Sequence, residues 1–154
     1  MRATVTLFAL IVSTSTPVLG QSLRGVWKPI QVVVDSGPDR GRHTTDVQPG
    51  LLIFTNRYYS MTQVQGFKAR LVPSDSASDE ELGRSFLPFT ANAGTYQRSD
   101  STITFSPTVA KHPAVMAAGR KLTFVARAKG DTLWAHLTGR GASTTWTWIR
   151  VERP

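Results

Sequence analysis

The side chains of this sequence that can move a proton or hold a metal are few: three histidines and ten carboxylates, with no cysteine. The missing thiols exclude disulfides, thiolate metal sites, iron–sulfur clusters and a cysteine nucleophile together. His43, His112 and His136 show no His-x-x-x-His pairing of the kind that presents two imidazoles to zinc, so neither a metal nor a cofactor is expected from spacing. Ser143 lies in Gly141-Ala142-Ser143-Thr144-Thr145, which lacks the second glycine of a nucleophile elbow and reads as a turn serine. The acidic run from Asp75 to Glu81 has the spacing of a helix start rather than of a cation site. Ser78 and Glu81 form a capping box, and Asp79 and Glu80 fall in the first turn, near the positive end of the helix dipole. His136 is left as the catalytic candidate, because it alternates with Trp134 on one face of an extended segment and so could enter an enclosed space as an acid or base.

The richer inventory is aromatic, with seven Phe, four Trp and three Tyr. Ile103 with Phe105, Leu122 with Phe124, and Trp146 with Trp148 each share a face at period two. Inward-facing rings bury much apolar area and can stack on a flat or fatty ligand. The expected ligand-binding set is therefore Tyr96, Phe105, Phe124, Trp134, Trp146 and Trp148, with Leu133 in place of Trp134 if the register runs the other way. The same rings would serve equally to fill a solid interior.

Short strands must position them. Runs of β-branched and aromatic residues, punctuated by Gly, Pro, Asn and Asp, recur from Leu23 onward. Leu23 to Val34 reads as a first strand, closed by the turn-rich stretch Asp35 to Gly41. Gly50 to Phe54 and Tyr58 to Val64 read as a hairpin, with Asn56 suited to a left-handed turn position. Phe67 to Val72 is a further short strand candidate. A helix over 79–87 would lay Leu82, Phe86 and Phe89 against the body and end at Pro88. Strands then resume at Ala93 to Arg98, Ser101 to Pro107, Lys121 to Ala128, Thr132 to Leu137 and Thr144 to Val151, with Gly130 at the tightest turn. The expected fold is all-β: a single antiparallel up-and-down barrel of eight or nine strands with one short helix.

The chain's 154 residues suit one domain, and 18% charged residues are too few for a disordered chain. Met1-Arg2, an apolar stretch from Ala3 to Val12 and small residues before Gln21 read as a signal peptide over 1–20, with the barrel domain at 21–154. The apolar stretch is too short for a permanent membrane span, so a secreted or periplasmic protein is expected. Without Arg2 the charge is 17 basic against 10 acidic, or +7. Residues 98–153 hold 9 basic and 3 acidic of these. Such a surface suits contact with an anionic face, but no aromatic-interleaved basic run points to nucleic acid.

Three motifs carry a resemblance. Leu23-Arg24-Gly25-Val26-Trp27 opens the domain, Ala91-Asn92-Ala93-Gly94-Thr95-Tyr96 stands mid-chain, and Trp148-Ile149-Arg150 closes it. In this order they resemble the bacterial lipocalin-like domain proteins, a calycin type of β-barrel. The resemblance implies that Gly25, Trp27 and Arg150 form the barrel floor, with Arg150 stacked on the indole, and that the barrel binds a small hydrophobic or weakly anionic ligand. It also leaves open a calycin-type hydratase, cyclase or isomerase acting on a hydrophobic substrate. A third reading is a secreted interaction module using the 35–49 loop, which carries Arg40, Arg42 and His43.

Overall fold

The computed structural model describes residues 22–139 and 141–154. The expected leader and its cleavage point lie outside the described residues. Among the described residues nine strands form: β1 (Gly25–Ser36), β2 (His43–Thr44), β3 (Gly50–Phe54), β4 (Tyr58–Val64), β5 (Phe89–Arg98), β6 (Thr102–Ala110), β7 (Leu122–Lys129), β8 (Thr132–Thr138) and β9 (Ser143–Glu152). β1 and β3 to β9 pair antiparallel in chain order, and β9 pairs back onto β1, so eight strands close into a barrel. β2 adds a two-residue rung to the far half of β1, with Val32 opposite Thr44. Closure satisfies the backbone groups that an open sheet would leave at its edges.

Irregularities sit where the barrel must bend. The β1–β9 seam shifts register at Val26/Trp27, Pro29/Gln31 and Val34/Ser36. Pro29 has no N–H to give a ladder, and a bulge is where a strand tolerates it. The β5–β6 pair shifts between Ala93 and Gly94, opposite Val109 and Pro107. There a Cβ on Gly94 would stand 2.1 Å from the Ser106 carbonyl oxygen, so only glycine fits. Gly25 meets the same limit at the floor: its φ is +121°, and a Cβ would stand 2.2 Å from the Glu152 carbonyl oxygen.

The local readings between the strands are partly revised. Residues 67–72 form no strand, and β5 instead begins at Phe89, four residues before the expected start. Helix α1 (Asp79–Phe86) has the expected capping box, with Glu81 N–H donating to Ser78 Oγ and Ser78 N–H to Glu81 Oε2. Its apolar side is not buried, however: Leu82 and Phe86 are 39% and 55% exposed, while Ser85 is buried. The helix is tied down through its end, where Lys111 Nζ donates to the carbonyls of Phe86 and Phe89. Asn56 does not adopt a left-handed conformation; Thr55 Oγ1 accepts from the N–H groups of Arg57 and Tyr58 and makes the turn instead. Gly130 does take positive φ, +59°, at the β7–β8 hairpin.

The core fills the closed end of the barrel. Trp27 is fully buried, and Leu23, Leu52, Phe54, Tyr59, Ile103, Phe105, Leu133 and Trp148 pack around it. Burying an indole of roughly 200 Å² contributes on the order of 5 kcal/mol. Its polar atom is satisfied, since Trp27 Nε1 donates to the Leu23 carbonyl at 2.7 Å.

Candidate functional site

The floor is built across the seam. Arg150 lies opposite Trp27 in the β1–β9 register, its guanidinium carbon 4.4 Å from the indole centre. Nη2 donates to the Ser22 carbonyl at 2.7 Å, Nη1 donates to the Arg24 carbonyl, and Nε lies 3.3 Å from Asp131 Oδ1. Asp131 also accepts from Arg153 at 2.6 Å, and that hydrogen bond holds its carboxyl below the usual carboxylate range. Here Trp27 is fully buried and the Arg150 side chain is 7% exposed.

Above the floor an aromatic stack crosses the interior. Phe54 meets Tyr96 edge-on at 4.8 Å and stacks on Phe105 at 6.0 Å, while Phe105 contacts Tyr59 at 4.3 Å and Phe124 at 5.2 Å. The Tyr59 hydroxyl donates to Asn92 Oδ1 at 2.6 Å, and burial pushes its pKa up to about 12. Beyond the stack lies a cavity of about 70 Å³, lined by Leu52, Met61, Gln63, Gln65, Ile103, Phe105, Phe124, Leu133, Ala135, Leu137, Trp146 and Trp148. Gln65, Leu137 and Trp146 also line a wider hollow of about 230 Å³ at the mouth, with Val32, Val34, Gly66, Phe67 and Thr144. The inner space alone holds a few waters, well short of the roughly 300 Å³ of a typical ligand site, so an occupant must extend into the mouth.

Of the six aromatic residues expected to line the interior, four do: Phe105, Phe124, Trp146 and Trp148. Trp146 and Trp148 lie 6.0 Å apart, one above the other on β9. Tyr96 is set behind Phe54, and its hydroxyl donates to the Thr55 carbonyl at 2.9 Å, so it packs the floor side rather than the cavity. Trp134 is not in the interior. Leu133 pairs with Trp148 and Ala135 with Trp146, so these inward residues leave Trp134 and His136 on the outer wall. There Trp134 lies 5.8 Å from the Arg127 guanidinium carbon. His136 Nδ1 lies 3.1 Å from both Thr145 Oγ1 and Asp35 Oδ2, and Thr145 donates to Asp35 at 2.7 Å. This outer string ties β1, β8 and β9 together and places the acid/base candidate outside the barrel.

Gln63 is the residue that sequence reading passed over. It is 5% exposed, lines the inner cavity, and its Nε2 has no hydrogen-bond partner. The alternation Tyr59, Met61, Gln63 along β4 was the available signal, since Tyr59 is buried and period two carries its face to Gln63. At the mouth the 35–49 loop folds over the 65–67 segment. Arg42 stacks 3.7 Å from the Phe67 ring centre, and the loop is pinned by Val34 N–H to the Arg42 carbonyl and Gly41 N–H to the Val34 carbonyl. Among the described residues no group of three or more His, Cys, Asp or Glu is placed to hold a metal ion.

The chain is thus a closed eight-stranded antiparallel barrel, plugged at one end and hollow toward the other. No family model matches it, and no curated protein matches it significantly. A solved structure of an uncharacterized protein from Bacteroides eggerthii is similar at 14% identity, covering 84% of this chain and 99% of that one, with a TM-score of 0.45.

Proposed function

We propose that this chain is an exported, lipocalin-like binding protein that takes a small, mostly apolar ligand through the mouth of its barrel. The observation that carries this reading is the inner cavity, where four aromatic rings line a space that shares Gln65, Leu137 and Trp146 with the mouth hollow. Filling such a space removes apolar surface from water on both partners, and ring faces favour flat or chain-like occupants. Among the described residues no Lys, Arg, His, Asp or Glu lines the inner cavity. A weakly anionic ligand would therefore keep its charge at the mouth, where Arg42 stands. With His136 on the outer wall, the interior offers contact rather than proton transfer, which favours binding over the calycin-type enzyme reading.

Titration of intrinsic tryptophan fluorescence tests the proposal, using a panel from monocyclic aromatics and short fatty acids up to retinoids and porphyrins. The smaller members are expected to shift the emission of Trp146 and Trp148, and Trp146→Phe is expected to reduce the shift. Emission unchanged across the whole panel would remove the reading.

A further inference from the structure

Gln63 is an anomaly in an interior that pairs its other polar groups. Tyr59 is matched to Asn92, Trp27 to the Leu23 carbonyl, and Tyr96 to the Thr55 carbonyl. Arg150 Nε, which also lacks a hydrogen bond, at least faces the Asp131 carboxylate at 3.3 Å. Gln63 is about as buried as Tyr59 and Asn92, yet its Nε2 donor has no partner, and the residue is one of those that line the cavity. A buried amide donor left unpaired is costly, and native interiors seldom carry one without a role. Around it the cavity wall is apolar except for Gln65 at the mouth end, with Leu52, Ile103, Phe105 and Trp146 among its residues.

Resting on the binding reading above, we infer that the barrel selects neutral apolar molecules bearing one hydrogen-bond acceptor, a ketone, ester or amide carbonyl, seated acceptor-first against Gln63 Nε2. Hydrocarbon matches the wall but leaves the amide unpaired. A carboxylate matches the amide, but no Lys, Arg or His is among the described residues lining this depth to offset its lost hydration. A neutral carbonyl satisfies both conditions. It gives Gln63 its acceptor while the rest of the molecule runs past Trp146 toward the mouth. Gln63 is then the specificity-determining residue, and the aromatic rings supply the contact area.

The test is a nuclear magnetic resonance titration of the nitrogen-15-labelled full-length protein with three probes of like size: acetophenone, ethylbenzene and benzoate. The indole N–H signals of Trp146 and Trp148 report occupancy, and the Gln63 side-chain amide reports engagement. Acetophenone is expected to bind about five- to tenfold more tightly than ethylbenzene, as one neutral hydrogen bond allows, and to move the Gln63 amide signals. Benzoate is expected to bind more weakly than acetophenone. In Gln63→Met, of similar shape, the two neutral probes are expected to bind within about twofold of each other, since the buried donor is gone and the remaining amide, Gln65, stands at the exposed mouth end of the cavity. The wild-type measurement stands by itself should that variant fold poorly. Equal affinities in the wild type, a preference that survives in Gln63→Met, or occupancy without a shift of the Gln63 amide would each overturn the inference while leaving the binding reading intact. Silence of both tryptophans with every probe would overturn the binding reading, and this inference with it.

Discussion

Trp27 and Arg150 are register partners across the seam that closes the barrel, with the guanidinium carbon 4.4 Å from the indole centre. Arg150 also reaches the carbonyls of Ser22 and Arg24, which precede β1, and so holds the incoming chain beneath the floor. One side chain thus covers the largest core residue, satisfies two carbonyls and joins the ends of the domain. Arg150→Ala is expected to lower stability by about 2–4 kcal/mol through lost stacking and charged hydrogen bonds. Arg150→Lys should recover less than half of this, because a point charge cannot stack flat and reach both carbonyls. Urea unfolding measures the loss, and a red shift in native emission would report Trp27 meeting water.

Two glycines are expected to respond oppositely to the same change. A Cβ on Gly94 would collide with the Ser106 carbonyl oxygen and also stand 2.9 Å from Pro107 Cα and Thr108 N, all backbone atoms of the facing strand. Gly94→Ala must therefore separate β5 from β6 and should cost about 3 kcal/mol or more. Gly83 lies within helix α1, and a Cβ added there would meet no atom within 4 Å. Gly83→Ala should therefore stabilise by about 0.5–1 kcal/mol. Thermal unfolding of the two variants side by side checks both signs.

Tyr59 should make stability fall at alkaline pH. Its ordinary value is 10.0 and burial raises the folded value to about 12. The unfolded chain therefore releases this proton first. The contribution is fully present below pH 10.0 and is lost as pH rises through about 12. Absorbance at the phenolate band should show a tyrosine step near pH 12 that is absent in Tyr59→Phe. The same variant should flatten the alkaline slope of stability, while costing about 1–3 kcal/mol at neutral pH because Asn92 Oδ1 loses its donor.

The Arg42–Phe67 stack should govern how readily the mouth opens. Arg42→Ala removes a contact of about 0.5–1 kcal/mol and frees the 35–49 loop from the 65–67 segment. Amide exchange at Gly41, whose N–H donates to the Val34 carbonyl, should then quicken about two- to fivefold, with core amides unchanged. Equal exchange in the two proteins would show that the stack does not hold the loop.

Much of the architecture was legible locally. Period-two runs marked the strands, Ser78 and Glu81 marked the helix start, and the Trp27 and Arg150 ends pointed to closure, because each signal depends on neighbours along the chain or on a pattern at its two ends. The side chains facing the cavity were less so. β8 sets Leu133, Ala135 and Leu137 on one face against Thr132, Trp134, His136 and Thr138 on the other, and the large indole of Trp134 made the more polar face a candidate for the interior as well. Pairing with β9 chose, by setting Leu133 against Trp148. Helix α1 likewise carries an apolar stripe that the sequence directs inward, but the barrel is already closed beneath it and leaves Leu82 and Phe86 at the surface.

Short strands, one capped helix and a glycine at each point of close approach are written into the order of residues, since backbone conformation and steric size are properties of a residue and its neighbours. Only the tertiary structure decided which rings enclose space, how little space they enclose, and that Gln63 stands in it without a partner. Those follow from register and closure, which bring residues far apart in sequence to one wall and give each side chain its surroundings.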